Sequence, residues 1–214
     1  MRLKNVPGSK EYIAESDFVI HDEKEKKGRL NDYFGNDNPI QIEIGMGKGK
    51  FIYELARKNP FINFIGIEKY SSVLIRAIQK MEEEPLANLM FIRMDAEEIT
   101  EVFSEHEVEK IYLNFSDPWP KDRHAKRRLE SRQFLERYKV ILKEGGVIEF
   151  KTDNNDVFDF ALEEVKEAGW KLLAVTRDLH SDPVLNEGNI MTEYEAKFSE
   201  MGNPINKYII TYEK

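Results

Sequence analysis

The sequence predicts an α/β fold, a mostly parallel sheet of about seven strands covered by helices on both faces. Two observations carry this. From residue 40 onward, short runs rich in Ile, Val, Phe and Tyr alternate with stretches whose apolar residues recur at helical spacing. Strand–helix alternation in turn demands crossovers that place the strands parallel, with helices over the sheet.

The strands are read at 40–45 (IQIEIG), 63–69 (NFIGIEK), 89–95 (LMFIRMD), 110–117 (KIYLNFSD), 146–153 (GVIEFKTD), 171–178 (KLLAVTRD) and 207–213 (KYIITYE). Helical patterns fall at about 50–58, 71–84, 97–104, 130–142 and 155–169; in the last, Val157, Phe160, Ala161, Val165 and Ala168 share a face. No ordinary crossover helix separates the last two strands, so the terminal strand is expected to be antiparallel. Residues 1–39 read as an N-terminal arm with one or two short helices and no strand, and 179–203 as a substrate-side insertion. Nothing divides the 214 residues into separate domains, so 1–214 is expected to be one.

Composition narrows the function. There is no cysteine, which excludes disulfides, thiolate metal sites and a cysteine nucleophile, and fits a reducing cytoplasm. The four histidines show no metal-ligand spacing, so no metal is expected. No apolar run reaches the ~18 residues of a membrane span. No feature calls for an obligate protein partner, leaving monomer or homodimer. The formal charge is −8, yet Lys121 to Arg137 holds seven basic residues against three acids. That segment is +4 and the remainder −12, an asymmetry that suits a polyanionic partner.

Ligands of open parallel sheets bind beyond the C-terminal strand ends. Here those ends carry Glu43, Glu68, Asp95, Asp117 and Asp153. A lone strand-end acid is commonly a helix cap; five in succession call for a ligand. The first loop, Gly45-Met46-Gly47-Lys48-Gly49-Lys50, is no dinucleotide fingerprint, because Lys50 stands where the third glycine belongs, and no P-loop, because GK[ST] is missing. E-x-G-x-G-x-G is the pattern of class I methyltransferases, in which bare backbone passes under S-adenosylmethionine. Glu68 lies at the right distance to accept from ribose hydroxyls and Asp95 could accept from the adenine amine.

After the fourth strand comes FSDPWPKDRHAKRR. Pro118 and Pro120 stiffen Asp117 and Trp119 toward extended conformations, which makes a rigid shelf presenting a carboxylate and an indole. Behind it, Arg123, His124, Lys126, Arg127 and Arg128 are poorly balanced by acids and suit contact with RNA phosphate. Further on, Thr192 and Glu195 form a T-x-x-E capping box, with Gly202 as the stop of its helix.

These motifs resemble the bacterial tRNA (guanine-N7-)-methyltransferases. The stretches that carry the resemblance are EIGMGKGKF, NFIGIEK, YLNFSDPWPKDRHAKRRL, FKTDN and GNIMTEYEAKFSEMG, spanning nearly the whole chain from about residue 34. Met46, Asn155 and Lys4 depart from the usual pattern. The resemblance implies a class I fold and methylation of guanine N7 in the tRNA variable loop (position 46 in tRNA numbering). It further implies Glu43, Gly45, Gly47, Gly49, Glu68, Asp95 and Asp117 as donor-binding residues. Asp117 and Asp153 become the catalytic pair, and Lys121, Asp153, Thr192, Tyr194 and Glu195 the substrate contacts. Three rival readings remain at this point: a small-molecule methyltransferase, a nicotinamide oxidoreductase and a non-catalytic RNA-binding protein.

Overall fold

The computed structural model describes residues 6–213. Its contacts group into two compact units, one ending at Ser104 and the other beginning at Glu105. Among the described residues no helix is long and apolar enough to cross a membrane.

The first unit is built on β1 (Ile40–Ile44), β2 (Asn63–Ile67) and β3 (Leu89–Ile92), in the order β3-β2-β1. The pairs are parallel, with Glu43 beside Gly66 and Ile65 beside Met90. All residues of β1 and β2 are buried, as expected of strands covered on both faces. Ahead of β1 lie α1 (Ser9–Ala14) and a 3₁₀ turn at Leu30–Tyr33; α2 (Lys50–Lys58) and α3 (Ser71–Glu83) connect the strands. The expected helix at 97–104 is a 3₁₀ turn, Ala96–Glu98, continued by the single turn of α4 (Ile99–Val102). The arm is not wholly free of strand pairing: Phe91 donates its N–H to Phe18 and accepts from Ile20, at 2.9 Å each. Residues 18–20 thus cover the outer edge of β3, which would otherwise expose unpaired backbone groups.

The second unit holds β4 (Val108–Asn114), β5 (Leu142–Thr152), β6 (Lys171–Thr176) and β7 (Asn206–Thr211), in the order β4-β5-β7-β6. β4 and β5 are parallel, whereas β7 runs antiparallel to both β5 and β6. The terminal strand is therefore inserted between its neighbours. Helices α5 (Arg132–Ile141) and α6 (Asn155–Glu167) pack here, with α7 (Glu193–Glu200) inside the insertion. Phe150, Phe158 and Tyr208 form an aromatic core, with centroids 5.1 to 6.2 Å apart. β5 begins four residues earlier than the sequence suggests because α5 runs directly into it. A side chain at Gly146 would meet the carbonyls of Lys143 and Glu109 at 2.8 and 2.9 Å, so only glycine lets the two chains approach there.

Candidate active site

In the first unit the acids and the glycine loop gather at one strand edge. Glu43 is buried in β1, one residue before its end. The chain then leaves through Gly45, whose N–H is 2.9 Å from the Ile67 carbonyl, and enters α2 at Gly49. Glu68, just past β2, closes the loop from the other side: its carboxylate accepts from the Gly47 N–H and the Tyr70 N–H, both at 2.9 Å. Asp95 follows β3, accepts from Glu97 N–H at 3.1 Å and pairs with Lys69.

Two glycines of the loop have distinct physical reasons. Gly47 has a φ of +58° and open space where a Cβ would stand. Gly49, at +75°, would place a Cβ 2.8 Å from that of Ala77, so it permits α2 and α3 to pack. Met46, the unusual residue in the loop, is 6% exposed, and its sulfur occupies the space that a side chain at Gly66 would need. It belongs to the core, out of the way of a ligand. Bare backbone with open space, flanked by carboxylates able to accept from hydroxyl and amine groups, fits S-adenosylmethionine in both shape and chemistry.

In the second unit, Asp153 immediately follows β5 and Asp117 lies three residues beyond β4. Asp117 is exposed and Asp153 half-buried; among the described residues no hydrogen bond or ion pair engages either carboxylate. Thr152 Oγ1 accepts from Asn154 N–H, and Asn154 caps α6 by accepting from Val157 N–H. Asn155 accepts from the Asn206 amide at 3.0 Å, which ties α6 to β7.

The shelf differs from expectation in one respect. Trp119 is not extended but has a φ of +39°, and Phe115 one of +52°. A following proline favours an extended predecessor, so the tertiary contacts around Trp119 override that local preference. The positive φ at Trp119 is held from outside: Arg128 donates to the Pro118 and Trp119 carbonyls at 2.9 and 3.1 Å and lies over the Phe160 ring. The indole meets His124 edge-on at 5.6 Å and carries the Arg127 guanidinium 5.0 Å from its centroid. Trp119, His124, Arg127 and Arg128 thus brace one another, and Arg127 stands exposed together with Lys121, Arg123 and Lys126. Residues 122–127 wind into a 3₁₀ turn rather than an α-helix.

In the insertion, Thr192 caps α7 by accepting from Glu195 N–H at 2.9 Å, and Gly202, with a φ of +82°, ends the helix. The reciprocal half of the capping box does not form, because the Glu195 side chain turns inward and is fully buried. Its partner is Lys151 on β5, at 2.6 Å. Tyr194 is 51% exposed and stacks on Phe115 and Phe198. Sequence reasoning missed Lys151, Asn189 and His180 around Glu195. The one available signal was a lysine placed within a central strand, which has to find a partner if it is buried.

Solved structures place this architecture. An antibiotic-related methyltransferase superposes with a TM-score of 0.67 at 19% identity, covering 94% of this chain and 98% of its own. A 16S rRNA methyltransferase does so at 0.66 and 16% identity, covering 87% and 94%. The fold is that of the class I methyltransferases, and a family model described as a putative methyltransferase matches residues 37–208. Relatives narrow the class. A tRNA (guanine-N(7)-)-methyltransferase of Lachnoclostridium phytofermentans is 61% identical over 214 residues, all of both chains. That of Bacillus subtilis is 48% identical over 206 residues, 96% of each. The chain belongs to the tRNA (guanine-N(7)-)-methyltransferase family.

Proposed function

We propose that this chain transfers a methyl group from S-adenosylmethionine to N7 of a guanosine in the variable loop of tRNA, at position 46 in tRNA numbering. The observation that carries the reading is the pair of carboxylates that follow β4 and β5, Asp117 and Asp153, in a chain whose close relatives are tRNA (guanine-N(7)-)-methyltransferases.

The donor, when bound, supplies an electrophilic methyl group on a sulfonium. Gly45, Gly47 and Gly49 would give it a path along bare backbone, and Glu43, Glu68 and Asp95 would accept from its polar groups. Guanine N7 carries an in-plane lone pair and no proton, so no residue has to act as a general base. The chain's task is to hold the base in line and to stabilise positive charge arriving on the purine. A carboxylate that accepts from N1–H and the 2-amino group does both and selects guanine over adenine. Charge-assisted bonds of this kind contribute on the order of 1.5–3 kcal/mol each. Asp117 and Asp153 supply them, while Lys121, Arg123 and Lys126 meet backbone phosphate. Tyr194 offers an exposed ring face on which a base can stack. Such a reaction belongs in the cytoplasm, where tRNA is found.

The test is methyl-labelled S-adenosylmethionine with unmodified tRNA, followed by mapping of the modified nucleotide. Label on N7 of the variable-loop guanosine is expected. Tight tRNA binding without label would make the chain a binding protein, and label on another base would overturn the assignment. Asp153→Ala should lower turnover at least a hundredfold, on the order of the loss of one preorganised electrostatic contact, and leave donor affinity within a few-fold; calorimetry with the demethylated donor reads the latter.

A further inference from the structure

The Lys151–Glu195 pair is buried deep in the second unit, and neither side chain has measurable exposure. The Lys151 ammonium is saturated, with Glu195 Oε2 at 2.6 Å, the Ile190 carbonyl at 3.0 Å and Asn189 Oδ1 at 3.1 Å. On the other side, Glu195 Oε1 accepts from the Asn189 amide at 2.6 Å and lies 3.0 Å from His180 Nε2. Burial holds the Lys151 ammonium below its ordinary value despite the facing carboxylate, whereas for Glu195 the pairing outweighs burial and holds the carboxyl below its ordinary value. Three residues of the insertion, Asn189, Ile190 and Glu195, thus converge on one strand side chain, and His180 backs Glu195 from a separate stretch.

The same strand residue reaches the other way. The Lys151 carbonyl accepts from Phe115 N–H at 2.8 Å, the residue that opens the turn toward Asp117. The Phe115 ring stacks on Tyr194 at 6.4 Å and on Phe198 at 6.3 Å, both on α7. Asp153 stands two residues beyond Lys151. Both candidate carboxylates and the exposed tyrosine therefore hang from one buried node. A buried ion pair is a poor source of net stability compared with apolar packing, whereas a fully satisfied one admits a single geometry.

We infer that Lys151 and Glu195 are a positioning pair, which sets α7 and the turn at Phe115 so that Asp117, Asp153 and Tyr194 meet the guanine correctly, and that Glu195 does not itself touch substrate. The inference rests on the proposed methyl transfer to guanine. A displacement of about 1 Å at a reacting centre costs roughly a hundredfold in rate, so loss of the pair should act on kcat.

The experiment is a double-mutant cycle of Lys151→Met and Glu195→Gln, reading kcat, KM for tRNA and the dissociation constant of the demethylated donor. Each single change is expected to lower kcat about a hundredfold, with KM and donor affinity within threefold. The double variant, in which both charges are removed, should be no worse than the poorer single. Losses that multiply, or a KM for tRNA that rises tenfold in Glu195→Gln alone, would mean direct contact and overturn the inference. Should a single variant fail to fold, His180→Gln serves as the milder probe, read by amide hydrogen exchange over 189–195. Exchange at least tenfold faster than in the unsubstituted chain supports the node, and unchanged exchange overturns it. That arm needs no turnover, so it judges the node separately: an unsubstituted chain that leaves guanine N7 unmethylated overturns the functional reading instead.

Discussion

Glu130 shows what a single residue does beneath the shelf. It is fully buried beside the Ser116 hydroxyl, near Asp117 and Arg128, and neither carboxylate oxygen makes a hydrogen bond of good geometry. The hydroxyls of Tyr138 and Tyr208 lie in the same apolar surround. Burial pushes the Glu130 carboxyl up from 4.5 to about 7. The folded value exceeds the unfolded one, so unfolding releases a proton between those two values. Stability should therefore fall as pH rises from about 4.5 to about 7, and the cost should be complete above that range. A shift of this size corresponds to roughly 3 kcal/mol. Urea titrations at pH 5 and pH 8 are expected to show the loss, and Glu130→Gln should flatten it. At the same scale, sequence reading found the strand-end acids, since an acid after a β-branched run is visible in the chain itself. It did not find Lys151 with Glu195, because a partnership across 44 residues is set by folding and leaves no local mark.

Among the elements, the strands were the most legible, and the starts of all seven fall within four residues of the expected positions. The departures have local causes. The pattern at 97–104 is too short to sustain more than one α-turn after its 3₁₀ start. Residues 18–20 offer too few apolar positions to announce a strand, and pair only because β3 has an open edge. The shelf after β4 was legible as rigid but not in its form, since the positive φ at Trp119 is imposed by Arg128 nine residues on. This assigns Arg128 to the shelf and gives a prediction. Arg128→Lys keeps the charge but cannot fork across two carbonyls. Turnover should fall at least tenfold, an amount equivalent to about 1.4 kcal/mol of transition-state stabilisation. The salt dependence of tRNA binding should remain unchanged, because the net charge is kept; steady-state kinetics and filter binding separate the two.

For the whole molecule, charge is the quantity that matters. A chain of net −8 approaches an RNA of like sign, so association depends on where its cations stand. Of the basic residues at 121–128, Arg127 and Arg128 lie over aromatic rings, whereas Lys121, Arg123 and Lys126 are exposed and make no such contact among the described residues. Arg123→Ala with Lys126→Ala should weaken tRNA binding and lower the slope of log K against log salt by about one to two. An unchanged slope would place the phosphate contacts elsewhere.

The packing around the two tryptophans has an optical consequence. Trp170 is 6% exposed and sealed against Tyr212, so its emission should stay constant while the chain remains folded. Trp119 is half-buried, with a guanidinium over its face and an imidazole at its edge. Phosphate that draws Arg127 away from the ring removes a charge from the indole's immediate field. The protein thus carries an intrinsic fluorophore at the basic turn and an internal reference in its core. In Trp170→Phe, arrival of RNA can be followed by emission alone, with no label attached.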